Sequence, residues 1–372
     1  MLTMKSIREN VMAVFHHEPP ERIPWLTYDI PYPMLPRGSW ERELRNMGLG
    51  IIGLMGFYPC GDVYIAEMSN VEIEQKISTQ GKRKIITTIY RTPIGNLTKK
   101  EDLSISPPNP WIIEYPFKTP SDYDVIRFII EDTIYTPNYE AFLWIDKHVG
   151  DDGYVRAGCR SPLLSLLLDW MGYKTFFIEL HRHRNEIEKL LSVMEKKYFE
   201  LIKILADSPV EVISIDGNIN GRVINPKMFE KYLLPLYQKA SAILHSKGKI
   251  TSAHMDGALK CLKDLIPKTG LDVIEAFTPP PLGDLSLQEA REAWGEKVII
   301  SANFPETVCL EGVEAIKRCT LEILRSIAPG DAFMLTVTED IPYREPNDIL
   351  EVSLRTITEV MYKYGRYPVQ IP

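Results

Sequence analysis

Short apolar runs alternate with helix-period stretches from about residue 120 onward. Apolar runs at 153–158, 210–216, 249–254, 272–277, 297–303 and 332–337 read as strands. Between and around them, helical spacing marks 123–130, 138–149, 163–171, 176–181, 185–205, 226–247, 259–266, 286–294, 313–327 and 347–363. Strands that alternate with helices predict parallel pairing with helical crossovers. The first 120 residues differ. Ile7, Val11, Val14 and Phe15 share one face of a helix over 4–16, residues 23–29 read as a strand, and 40–47 reads as a helix stopped by Gly48. Residues 72–91 read as two strands around a turn at Gln80-Gly81, a hairpin inserted between barrel elements.

The length, 372 residues, fits two ordinary domains of roughly 100–200 residues or one large barrel. The strand–helix rhythm favours the barrel: an α/β fold, one (β/α)8 domain over 1–372 with N-terminal additions within 1–120. A doubly wound open sheet is the alternative, and no Gly-x-Gly-x-x-Gly follows any predicted strand to support it.

Composition narrows the partners. Lys plus Arg is 43 against 50 Asp plus Glu, a net charge of −7 without a basic block, so nucleic acid is not an expected partner. No apolar run reaches the roughly 18 residues a membrane-spanning helix needs, and the first ten residues carry charge where a signal peptide would be apolar. Five scattered cysteines without a Cys-x-x-Cys fit a reduced, cytoplasmic chain.

The candidate chemistry sits at the ends of the late strands. Each run finishes on polar side chains: Asp216 and Asn218, His254 and Asp256, Glu275, Asn303, then Glu339 and Asp340. In a barrel these ends converge on one mouth, where active sites are built. One histidine with two or three carboxylates can hold Zn²⁺ and leave a position open for substrate. A helix cap or turn accounts equally for any one of these residues, and a core histidine bonded to a carbonyl accounts for His254. Asp29 and Tyr32 follow the first strand and could line the mouth. Arg156 and Arg160 bracket a strand end, where holding an anion and buried salt bridging are equal alternatives. His181 and His183 read as surface, and His16 and His17 close the first helix.

Four segments carry a family resemblance: Pro226-Lys-Met-Phe-Glu-Lys-Tyr-Leu-Leu-Pro-Leu-Tyr237, Ser252-Ala-His-Met-Asp-Gly257, Leu271-Asp-Val-Ile-Glu-Ala-Phe-Thr-Pro-Pro-Pro281 and Trp294-Gly-Glu-Lys-Val-Ile-Ile-Ser-Ala-Asn-Phe-Pro305. With them the chain resembles the uroporphyrinogen decarboxylase-like superfamily, which includes corrinoid-dependent methyltransferases. Decarboxylases of that superfamily carry Arg-Gln-Ala-Gly-Arg after the first strand; here the stretch is Asp29-Ile-Pro-Tyr-Pro-Met. The thiol-methylating branch holds zinc with His-x-Cys and a distant Cys. Here the matching positions are His254, Asp256 and a site at or next to Glu339.

Oxygen ligands make a harder, more electrophilic zinc than sulfur does. The resemblance therefore implies a zinc-dependent methyltransferase that removes a methyl group from a small donor, plausibly a methoxylated aromatic, and passes it to the Co(I) corrinoid of a partner protein. Zinc would be held by His254, Glu275 and Glu339. Asp256 would serve as reserve ligand or orient His254, and Asp216 as further ligand or proton source. Asn218 and Asn303, with Asp29 and Tyr32, would bind substrate. The chain shows no Asp-x-His-x-x-Gly corrinoid signature of its own. Methyl transfer from a methylcobamide to a thiol, a non-catalytic barrel subunit and a decarboxylase-like enzyme are the alternatives, and a homodimer stays open.

Overall fold

The computed structural model of the chain describes residues 5–28, 39–106, 109–338 and 348–371. The expected site residues Asp29, Tyr32 and Glu339 lie outside these. The chain divides into two compact units, one of Met1–Val63, Asn138–Gly158 and Leu205–Pro372, the other of Tyr64–Pro137 and Cys159–Ile204.

The first unit holds the expected (β/α)8 barrel. Its strands are β1 (Trp25–Tyr28), β2 (Leu49–Leu54), β3 (Gly153–Gly158), β4 (Val212–Ser214), β5 (Ile250–His254), β6 (Val273–Phe277), β7 (Ile299–Asn303) and β8 (Phe333–Val337). Each runs parallel to its neighbours, and β8 closes on β1 through Trp25 opposite Leu335. Strands covered on both faces read as continuous apolar runs, and β2 (Leu-Gly-Ile-Ile-Gly-Leu) is buried along its whole length. Directly after a helix, a run this short carries no strand signal of its own in the sequence.

Alternation points every second strand residue into the barrel. Leu26, Ile52, Tyr154, Val212, Ile250, Val273, Ile299 and Met334 form one buried cluster with Val11, Val14 and Phe15 of the helix Ile7–Phe15. A capping box between Ser6 and Glu9 starts this helix, and Arg8 Nε donates to the carbonyl of Gly153 at the start of β3, 2.9 Å away. Gly50 makes room for it: a Cβ there would come within 2.6 Å of Ile7 Cγ2. The N-terminal end of the barrel is thus closed by apolar packing, each large side chain contributing about 1.5–3 kcal/mol on burial.

Two predicted helices differ from expectation. Residues 259–266 form only short 3₁₀ turns at Lys260–Leu262 and Ile266–Lys268 in place of the expected α-helix. The helix from Pro226 widens into a π turn at Phe229–Leu233, where Pro235 has no N–H for the regular ladder, and resumes at Leu234–His245.

In the second unit, Glu72–Gln80 and Arg83–Thr92 pair as antiparallel strands around Gly81 and belong to a four-stranded sheet with Gly95–Ser106 and Asn109–Glu114. The third strand, with Lys99, Lys100, Glu101 and Asp102, is too polar to announce itself. A separate antiparallel pair joins Tyr64–Met68 to Thr133–Pro137. Helices Asp122–Asp132 and Gly172–Arg182 meet where Tyr123 donates to Glu179 Oε2 at 2.9 Å. Among the described residues no helix is long and apolar enough to cross a membrane.

Candidate active site

Toward the C-terminal ends of the strands the barrel interior turns polar. Tyr28 ends β1, Arg156 lies on β3, His254 ends β5 and Glu275 lies on β6 beside it in register. Closure of the barrel brings these four together. Tyr28 donates its hydroxyl hydrogen to Glu275 Oε1 at 2.5 Å. Arg156 donates from Nε to Glu275 Oε1 at 3.0 Å and from Nη2 to the Tyr28 oxygen at 3.1 Å. Glu275 Oε2 lies 2.9 Å from the same Nε as part of the ion pair, although among the described residues no hydrogen bond is directed at it. The Tyr28 oxygen is also 3.0 Å from His254 Nδ1, while His254 Nε2 lies 3.8 Å from Asp256 Oδ2.

This cluster is largely buried and its charges are matched. Glu275 keeps 1% of its side-chain surface and Arg156 15%. Burial, then the Glu275 charge, push the Tyr28 hydroxyl well above a phenol's ordinary value, so it stays protonated. Burial opposes the Arg156 charge, but Glu275 and Tyr28 outweigh it and raise that group. Taking one charge from such a pair leaves the other buried and uncompensated.

The expected site residues separate into three groups. His254, Glu275 and Asp256 lie together. Asp216 meets His254 through its backbone, its carbonyl accepting from His254 N–H at 3.1 Å; its carboxylate accepts from Tyr237 of the helix Leu234–His245 at 2.7 Å and from Gly217 N–H at 2.9 Å. Asn218 is exposed in the following loop at φ +61°, a backbone state that asparagine tolerates better than most residues. Asn303 ends β7, fully buried. Its Oδ1 accepts from Thr336 Oγ1, Thr338 N–H and Thr338 Oγ1 at 3.2, 3.1 and 2.6 Å. That fixes the amide, and Nδ2 is a buried donor without a partner among the described residues. Ser252 and Ser301 on β5 and β7 likewise carry buried, unpartnered hydroxyls.

Arg156 resolves as the buried salt bridge. Arg160 makes an exposed ion pair with Asp169 at 2.5 Å. His16, His17, His181 and His183 are exposed. Tyr28 is the member of the cluster the sequence reading missed. Its signal was present, two residues beyond inward-facing Leu26 at the end of a strand.

One pair of side chains approaches the spacing of metal ligands. Two donors on one zinc sit roughly 3.3–3.6 Å apart at ordinary bond lengths, and His254 Nε2 and Asp256 Oδ2 come close to that separation. Glu275 is engaged by Arg156 and Tyr28 instead. Among the described residues no three His, Cys, Asp or Glu side chains form a metal-holding group.

The family model for uroporphyrinogen decarboxylase (URO-D) matches residues 103–360, well over half of the chain. The chain belongs to the uroporphyrinogen decarboxylase family. Among solved structures, this family member is similar to a methyltransferase from Methanosarcina mazei, at 15% identity and a TM-score of 0.57 over 95% of this chain and 99% of that one. That likeness speaks for the fold. A structure of the pneumococcal virulence factor StrH aligns over 94% of this chain and 86% of its own, at 10% identity and a TM-score of 0.42, too loosely to carry an argument. No curated protein matches the sequence.

Proposed function

We propose that this member of the uroporphyrinogen decarboxylase family is a zinc-dependent methyltransferase of the corrinoid-dependent, O-demethylating kind, working in the cytoplasm. The observation that carries the reading is His254, held through Nδ1 at the barrel mouth with Nε2 beside Asp256. The barrel shared with the Methanosarcina mazei methyltransferase supports it.

His254 and Asp256 would hold the zinc, with Glu339 as third ligand. Glu275, already paired, holds Tyr28 and Arg156 in place. When bound, zinc supplies Lewis-acid stabilisation of the oxygen that loses its methyl group. Asn303 would present Nδ2 to an acceptor oxygen of the substrate, and Asn218, Asp29 and Tyr32 are proposed as further substrate-binding residues. Asp216 stands in the loop after β4 as the proton source for the departing oxygen. The donor's methyl–oxygen bond would break as the methyl group passes to a Co(I) corrinoid brought as co-substrate by a separate protein, and the oxygen would leave with a proton as an alcohol or phenol. Co(I) would supply the two electrons of the new bond, so no further reductant would be needed.

The test mixes the protein with a Co(I) corrinoid protein and a panel of methoxylated aromatics and follows formation of methyl-Co(III) spectroscopically. Conversion that needs zinc and disappears in His254→Ala is expected. No conversion with any donor, together with methylation of a thiol by methylcobamide, would sink the reading.

A further inference from the structure

We infer that the cavity at the N-terminal ends of β1, β2 and β3 is a second binding site, for a small organic monocarboxylate whose charge is taken by Arg22.

The cavity holds about 310 Å³, and small-ligand pockets begin at roughly 300 Å³. Pro24, Gly48 and Asp152 line it, and each directly precedes one of the three strands. It therefore lies at the end of the barrel opposite the mouth. Arg22 lines it too. Its Nη2 donates to the carbonyl of Met361 at 2.8 Å and to that of Tyr362, at the end of the helix Asp348–Tyr364. The guanidinium carbon lies 5.2 Å from the centre of the Tyr362 ring.

A guanidinium carries five N–H donors on three nitrogens. Two carbonyls engage Nη2. Among the described residues Nε and Nη1 have no acceptor, and no carboxylate forms an ion pair with the group. Burial lowers the Arg22 guanidinium from its ordinary value and Arg366 acts the same way, while Tyr362 and Glu21 pull against them. An anion held beside Arg22 would restore what burial removes. Arg45 lines the same cavity. Its Nη2 donates to Glu41 Oε1 at 2.7 Å, and its Nη1 is a buried donor without a partner among the described residues. Charge-assisted hydrogen bonds to a carboxylate suit both arginines.

The acids of the wall do not fill that role. Asp152 pairs with Arg42 at 2.8 Å, and Glu21 accepts from the backbone N–H of Lys5 at 2.8 Å. Their charges, with that of Asp151, weigh against a dianion such as inorganic phosphate. Trp25, Met47 and Met361 supply apolar wall for the body of an organic acid. Nothing in this site depends on methyl transfer at the mouth.

The experiment titrates protein carrying ¹³C-methyl methionine with benzoate, with its neutral isostere benzamide and with inorganic phosphate. Met47→Leu and Met361→Leu identify the two cavity signals. Met255→Leu identifies that of Met255, which adjoins His254 and reports on the mouth. Benzoate should move Met47 and Met361 with a dissociation constant of about 1 mM, and benzamide should bind about 10-fold more weakly. Arg22→Gln, which keeps an NH₂ donor, should lose that preference. Benzoate that moves neither cavity methyl, or only Met255, overturns the site. Benzamide that binds wild-type protein as well as benzoate does overturns the role of Arg22, and so does folded Arg22→Gln that keeps the preference. Phosphate that moves Met47 and Met361 at lower concentration than benzoate overturns the carboxylate class.

Discussion

Two levels of the same barrel interior obey opposite rules. At the lower level Leu26, Ile52, Tyr154, Val212, Ile250, Val273 and Ile299 pack on the helix Ile7–Phe15. One inward step of two residues toward the mouth replaces Leu26 by Tyr28, Tyr154 by Arg156 and Val273 by Glu275, while β5 brings His254 and β7 Asn303 to its end. The lower level is apolar area removed from water, which stabilises directly. The upper level strips water from two charges and several dipoles, and its ion pair at best recovers that cost. Stability therefore resides below. The polar level persists for what its atoms can hold in place.

The largest effect should come from breaking the charge pair. Arg156→Met leaves Glu275 buried and unpaired and should cost about 3–5 kcal/mol in denaturant unfolding. Arg156→Met with Glu275→Leu should recover most of that loss yet leave methyl transfer abolished, since Tyr28 then has nothing to fix its hydrogen. A double variant that keeps its activity would erase the distinction between the levels. Ile299→Ala tests the lower level. Its cavity should cost about 2–5 kcal/mol, with the proposed zinc affinity per folded molecule unchanged.

Asp62 sharpens the comparison in the loop that leaves β2. Burial raises its carboxyl to about 6, against the pull of the Val63 N–H bonded to Oδ1 at 2.7 Å. A raised carboxyl favours the folded state while protonated, and this advantage is lost as pH rises from about 4 to about 6. Asp62→Asn should therefore raise stability by about 1–3 kcal/mol at pH 7.5 and by almost nothing at pH 4, read from melts at both values. The smallest effect belongs to Ser301→Ala. Removing a buried hydroxyl without a partner should leave stability unchanged or raise it by about 1 kcal/mol. A clear loss would mean that the hydroxyl is bonded in solution.

Much of this was legible along the chain. The alternation of buried runs and helices from residue 120 carried the barrel, and the polar residues closing those runs marked the mouth. Strand β2 escaped because a six-residue apolar run has no period of its own. The third strand of the second unit escaped because its polar residues mimic a loop. Glu275 is marked as a site residue by its place near a strand end, but its pairing with Arg156, 119 positions away, is not legible in the sequence.

The sequence by itself determined which residues form strands and which of their side chains alternate inward, because burial on both faces and the two-residue period are local properties of the chain. Only the tertiary structure decided that Tyr28 and Glu275, 247 positions apart, share a hydrogen across the barrel. That meeting depends on closure and strand stagger, which set who faces whom inside the cylinder and are written in no local period.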